Sequence, residues 1–86
     1  MSEINRDHLR SLFTLLDLTV KLNDETHGSL SHTVTHIRHA IILTAGWERR
    51  AGMIGWSGYA PKGQVGGLLC GGESTAVGQI RKEYGL

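Results

Sequence analysis

The sequence predicts a mainly α-helical protein: an antiparallel two-helix hairpin, then a Gly-rich irregular or short β segment, then a short C-terminal helix. Three observations carry this reading. Apolar residues recur at helical period from Ser2 to Asn23, a second helical pattern follows a small polar break, and eleven of the twelve glycines lie at or after Gly46.

In the first element, residues advance by about 100° each, which stacks Ile4, Leu15, Leu18 and Leu22 on one side. Leu9, Leu12, Phe13, Leu16 and Val20 continue that surface, and Arg6, Asp7, Arg10, Thr14, Asp17 and Lys21 fill the remaining stripe. The apolar arc spans roughly 200°, twice the ~100° that a helix resting on one core needs. Such a helix calls for partners on two sides, and one hairpin neighbour covers only one. Asp17 and Lys21 stand four apart in the acid-before-base order that favours pairing on a helix surface.

Asp24 to Gly28 interrupts the pattern with small polar residues and a glycine suited to a left-handed backbone. Ser29, or alternatively Ser31, is placed to cap a second helix. There Leu30, Val34, Ile37 and Ile41 form one stripe. Arg49 and Arg50 then read as the last turn, where cations suit the helix dipole, with Gly52 as the residue that ends it. Past Gly52, Met53–Tyr59 and Gln64–Cys70 are candidate short strands, both interrupted by glycine. Pro61 and Gly63 mark a turn around Lys62. Glu73–Tyr84 reads as a closing helix with Val77, Ile80 and Tyr84 inward, weakened by Gly78.

At 86 residues the chain is expected to form one small domain, with residues 2–52 as the helical hairpin and 53–86 as the Gly-rich segment. One cysteine, Cys70, excludes an intramolecular disulfide and suits a reducing compartment. Met1 to Asn5 lacks the layout of a signal peptide, and the longest apolar run, Ala40–Leu43, is far too short to span a membrane. A cytoplasmic protein with no membrane role is the expectation. A net charge of +1 supplies no global field for nucleic acid, so any electrostatic function is local. A small core without a staple is often completed by a second copy, so a homo-oligomer is expected.

Three features bear on chemistry. Trp47, Arg49, Arg50, Trp56, Tyr59 and Lys62 gather among glycines after the second helix. Flat rings accept stacked bases, guanidinium and ammonium groups take phosphate charge, and glycine lets backbone N–H groups approach an anion. The competing reading makes both tryptophans core and the arginines a helix end. His32, His36 and His39 share one helix face at a spacing compatible with metal ligation, but no acidic residue of the metalloprotease kind stands beside them, and an exposed polar or inter-subunit face is the preferred reading. Gly63–Gly72 leads into Glu73 as a Gly-rich turn entering a helix, yet it matches neither a phosphate-binding loop nor a dinucleotide fingerprint, and Glu73 would repel an anion. Neither Cys70 nor any serine sits in a nucleophile motif.

The segment His36-Ile37-Arg38-His39-Ala40-Ile41-Ile42-Leu43 and the turn Tyr59-Ala60-Pro61-Lys62-Gly63 resemble elements of the helical-hairpin proteins with which phages sequester cyclic nucleotides. They occur here in the opposite order along the chain. What the resemblance implies is ligand capture. The expectation is therefore a non-enzymatic, oligomeric binding protein without cofactor or structural metal. It would capture an anionic small molecule, a nucleotide or cyclic nucleotide, on Arg49, Arg50, Trp56, Tyr59 and Lys62. The alternative is a protein-interaction module, an adaptor or phage-type inhibitor, that docks another protein on an apolar helix face.

Overall fold

The computed structural model describes residues 3–51, 57–63 and 71–86. Helix α1 runs Glu3–Glu25, and one face of it is buried: Leu9, Phe13 and Leu16, with Leu12 and Val20 packed at the edge. The expected apolar stack lies elsewhere. Leu15, Leu18 and Leu22 are 49%, 63% and 49% exposed. Both sides of α1 are apolar, and among the described residues the side that carries Phe13 is the one packed in the core, while Leu15, Leu18 and Leu22 on the other are exposed.

The helix continues two residues beyond Asn23 and ends in a turn with two left-handed residues, His27 (φ 56°) and Gly28 (φ 86°). Here the Gly28 N–H donates to the Asn23 carbonyl at 2.8 Å, and the Leu30 N–H donates to the Asn23 side-chain oxygen at 2.8 Å. Neither expected serine caps the next helix. Ser29 Oγ is spent on Thr26 Oγ1 (2.7 Å) and Ser31 Oγ on the Gly28 carbonyl (2.9 Å), so Leu30 occupies the cap position without a side-chain bond.

Helix α2, Ser31–Thr44, packs on α1 as a hairpin through Val34, Ile37, Ile41 and Ile42. It stops well short of Gly52, which itself lies outside the described residues. Ala45 closes the last turn by donating to the Ile41 carbonyl (2.9 Å), and Gly46 takes a left-handed conformation (φ 78°) while donating to Leu43 (3.1 Å). That reversal redirects the chain into strand β1, Trp47–Ala51. Arg49 and Arg50 are therefore strand residues and have no part in the dipole of α2.

Strand β2, Ser57–Pro61, pairs antiparallel with β1, with Trp47 opposite Pro61 and Arg49 opposite Tyr59. Of the expected strand Met53–Tyr59, residues 53–56 lie outside the described residues, as does the expected strand 64–70. The turn at Lys62 and Gly63 (φ 82°) forms as expected, and the Lys62 N–H donates to the Gly46 carbonyl at 2.9 Å, which ties the end of β2 to the turn after α2.

Helix α3, Glu73–Tyr84, matches the expected closing helix, with Ala76, Val77 and Ile80 buried. Gly85 ends it in a left-handed conformation, and Glu73 at its start with Arg81 and Lys82 in its last turn complement its dipole. The largest fully buried side chains among the described residues come one from each helix: Leu9, Ile41 and Ile80. Asp17 does not serve Lys21. Its carboxylate accepts two bonds from the Arg81 guanidinium, at 3.0 and 2.6 Å, while that guanidinium lies 5.0 Å over the Phe13 ring. This bidentate contact, with an Arg6 bond to the Tyr84 carbonyl at 3.2 Å, fastens α3 to α1.

Candidate functional site

The residues singled out in sequence do not gather in one place. Period-two alternation sends Trp47 and Arg49 to one face of β1 and Glu48 and Arg50 to the other. Cross-strand partners share a face, so Tyr59 stands with Arg49. On that side the last turns of α2 and the hairpin enclose a cleft of about 300 Å³, lined by His39, Ile42, Leu43, Trp47, Glu48, Arg49 and Tyr59. Arg50 belongs to the other face and sits 3.9 Å from Glu48. Lys62, exposed in the turn beyond β2, does not line the cleft. Trp56 lies outside the described residues.

Each wall has a distinct character. Trp47 is only 4% exposed and belongs to the core, so it backs the cleft without offering a free ring face. Tyr59 is half-buried and packs on the same core. Leu43, 68% exposed, forms an apolar rim. Arg49 is exposed, and its side-chain hydrogen bond among the described residues is a 3.4 Å contact to Ser57 Oγ, so its guanidinium is held loosely at the mouth. His39 is better fixed: its Nε2 lies 2.8 Å from Glu73 Oε2, while Arg38 reaches Glu73 Oε1 at 3.4 Å. Glu73 is thus engaged with two cationic or proton-bearing groups of α2, which offsets the repulsion it would otherwise exert on an anion. His39 and Leu43 were missed as cleft residues, although their spacing of four on α2 places them one above the other.

The histidine face of α2 is exposed at His32, His36 and His39, and among the described residues no group of three or more His, Cys, Asp and Glu side chains is arranged to hold a metal ion. A second, more polar cleft of about 260 Å³ lies between α1 and the end of α3 and includes Arg6, Arg10, Phe13, Thr14, Asp17 and Arg81. Its guanidinium groups are already engaged: Arg81 with Asp17, Arg10 at 3.8 Å from Asp7, and Arg6 on a carbonyl. Among the described residues no helix is long and apolar enough to cross a membrane. Compared with known protein families, curated proteins and solved structures, the chain matches none.

Proposed function

We propose that this is a small non-enzymatic, self-associating binding protein whose cleft between α2 and the β-hairpin receives a flat apolar group bearing one anionic substituent, of mononucleotide or cyclic-nucleotide type. The observation that carries this reading is the cross-strand pair Arg49–Tyr59 on the cleft face, a loosely held guanidinium beside a partly exposed ring. Arg49 supplies the phosphate contact, Tyr59 a stacking edge and Leu43 an apolar lip. At about 300 Å³ the cleft lies at the lower limit of ligand pockets, roughly 300–1,000 Å³, which suits one base more than a long oligonucleotide. With Arg50 on the opposite face and Lys62 beyond the lining, the face offers one strong cation, not three. Among the described residues the lining contains no serine, threonine or cysteine to act as a nucleophile.

Calorimetry against mononucleotides, cyclic dinucleotides and short oligonucleotides tests the reading. Arg49→Ala is expected to weaken binding by roughly ten- to a hundredfold, the loss of one charge-assisted contact of about 1.5–3 kcal/mol. Tyr59→Ala removes stacking of about 1–3 kcal/mol per base, whereas Arg50→Ala and Lys62→Ala change little. Flat traces across the panel overturn it. The exposed leucines of α1 favour a second reading, docking of another protein on that helix.

A further inference from the structure

The uncovered face of α1 has its own order. His8, Ser11, Leu15, Leu18, Leu22 and Glu25 follow one another at spacings of three, four, three, four and three, and all six are exposed. This is the alternation of a coiled-coil seam, on the side of α1 nearly opposite Leu9, Phe13 and Leu16. We infer that the occupant of this seam is α1 of a second copy, running antiparallel, with Leu15 against the partner's Leu18 and His8 against the partner's Glu25. The inference rests on the proposed self-association and specifies the surface, direction and register.

The pattern is self-complementary in that register alone among the simple alternatives. Leu15 meets Leu18 twice about the two-fold axis, and Leu22 covers the small Ser11 at each side. Both ends then close with an imidazole facing a carboxylate, His8 to Glu25. On the flanks Lys21 meets Thr14 and Leu12 meets Thr19, so no like charges face each other. A parallel pairing sets Glu25 against its own copy. A shifted antiparallel pairing, with Leu18 against Leu22, brings Lys21 against Lys21. Like-charge juxtapositions of this kind select against a register.

Surface area points the same way. The chain exposes 5778 Å², against about 5,000 Å² expected of a monomeric protein of 9.4 kDa. An excess of exposed surface is what a chain with an uncovered apolar helix face carries. The molecule is also thin, 40 × 34 × 16 Å, as expected of a layer with one open side.

Sedimentation equilibrium, paired with bismaleimide cross-linking in a Cys70→Ser background, tests the inference. The unmutated chain is expected at twice 9.4 kDa. Leu18→Lys is expected to raise the dimer dissociation constant roughly thirtyfold or more, as loss of a central hot spot does, with far-ultraviolet circular dichroism unchanged because Leu18 is 63% exposed. A mixture of His8→Cys and Glu25→Cys chains is expected to give 8-to-25 links, and His8→Cys alone none, because those two positions then sit roughly 25 Å apart along the axis. Cross-links between two copies of position 8 overturn the antiparallel register. A dimer indifferent to Leu18→Lys overturns the surface. A chain that stays monomeric overturns self-association altogether, and if it still binds nucleotide in calorimetry the cleft reading survives independently. A dimer linked 8-to-25 with flat calorimetry leaves the interface standing and removes the cleft.

Discussion

Replacing Gly46 and Gly78 by alanine is expected to move stability in opposite directions. Gly46 has φ +78°, and a Cβ built on it meets no atom within 4 Å. The cost of alanine there is therefore backbone strain, about 1–2 kcal/mol for a left-handed L-residue, with no steric clash added. Restricting the unfolded chain returns about 0.4–1 kcal/mol, so the net destabilisation is about 1 kcal/mol. Gly78 lies within α3, is exposed, and also has nothing within 4 Å of a built Cβ. Alanine at this helical site gains about 1 kcal/mol. In a chain of this size 1 kcal/mol moves the melting temperature by roughly 4–8 °C, so the two variants should bracket the parent. Calorimetric melts at one fixed protein concentration read the shifts without interference from self-association. A Gly46→Ala midpoint equal to or above the parent's would refute the left-handed turn that redirects α2 into β1.

Leu16→Asp is expected to abolish the cooperative thermal transition, because Leu16 is only 6% exposed in the core and a carboxylate there has no partner; retention of that transition would misplace the buried face of α1. Asp17→Asn tests the tie to α3. The Arg81 hydrogen bonds hold the Asp17 carboxyl below its ordinary value, so its contribution is present above about pH 4, the unfolded carboxyl's range, and is lost as pH falls through the folded value. With both groups partly exposed that contribution is about 0.5–1 kcal/mol, and urea midpoints of Asp17→Asn and parent should differ at pH 7 and converge in strong acid. Midpoints separated equally at both ends would show that the pair is not the cause.

How far the sequence disclosed this depends on the element. Glu73–Tyr84 was legible to the residue because its apolar positions share one face and its dipole is dressed at both ends. Helix α1 was legible as a helix, but not in its orientation, since Leu15, Leu18 and Leu22 make as good a face as Leu9, Phe13 and Leu16. The stop of α2 was displaced because Gly46 and Gly52 are both plausible ends, and Arg49 and Arg50 lent false support to the later one. Trp47 was the contrary signal, a residue favoured in strands placed directly after a glycine. That one change of period decides the site. On a helix Arg49 and Arg50 would stand about 100° apart on neighbouring faces, whereas on a strand they point to opposite sides. The pairing of Arg49 with Tyr59 depends on register, which composition does not encode, and the serine caps failed because turn hydroxyls found nearer acceptors.

Glu73 and Arg81 sit near opposite ends of α3 and hold different parts of the molecule. Glu73 grips Arg38 and His39 beside the cleft, and Arg81 grips Asp17 in the middle of α1. The C-terminal helix is thus a cross-brace between the helix that offers the leucine seam and the rim that offers the cleft. Its core residues glue it down, while its charged ends set its alignment. A chain cut before Glu73 would lose both fastenings together, and the cleft would lose the support that steadies His39 without any of its lining residues being touched.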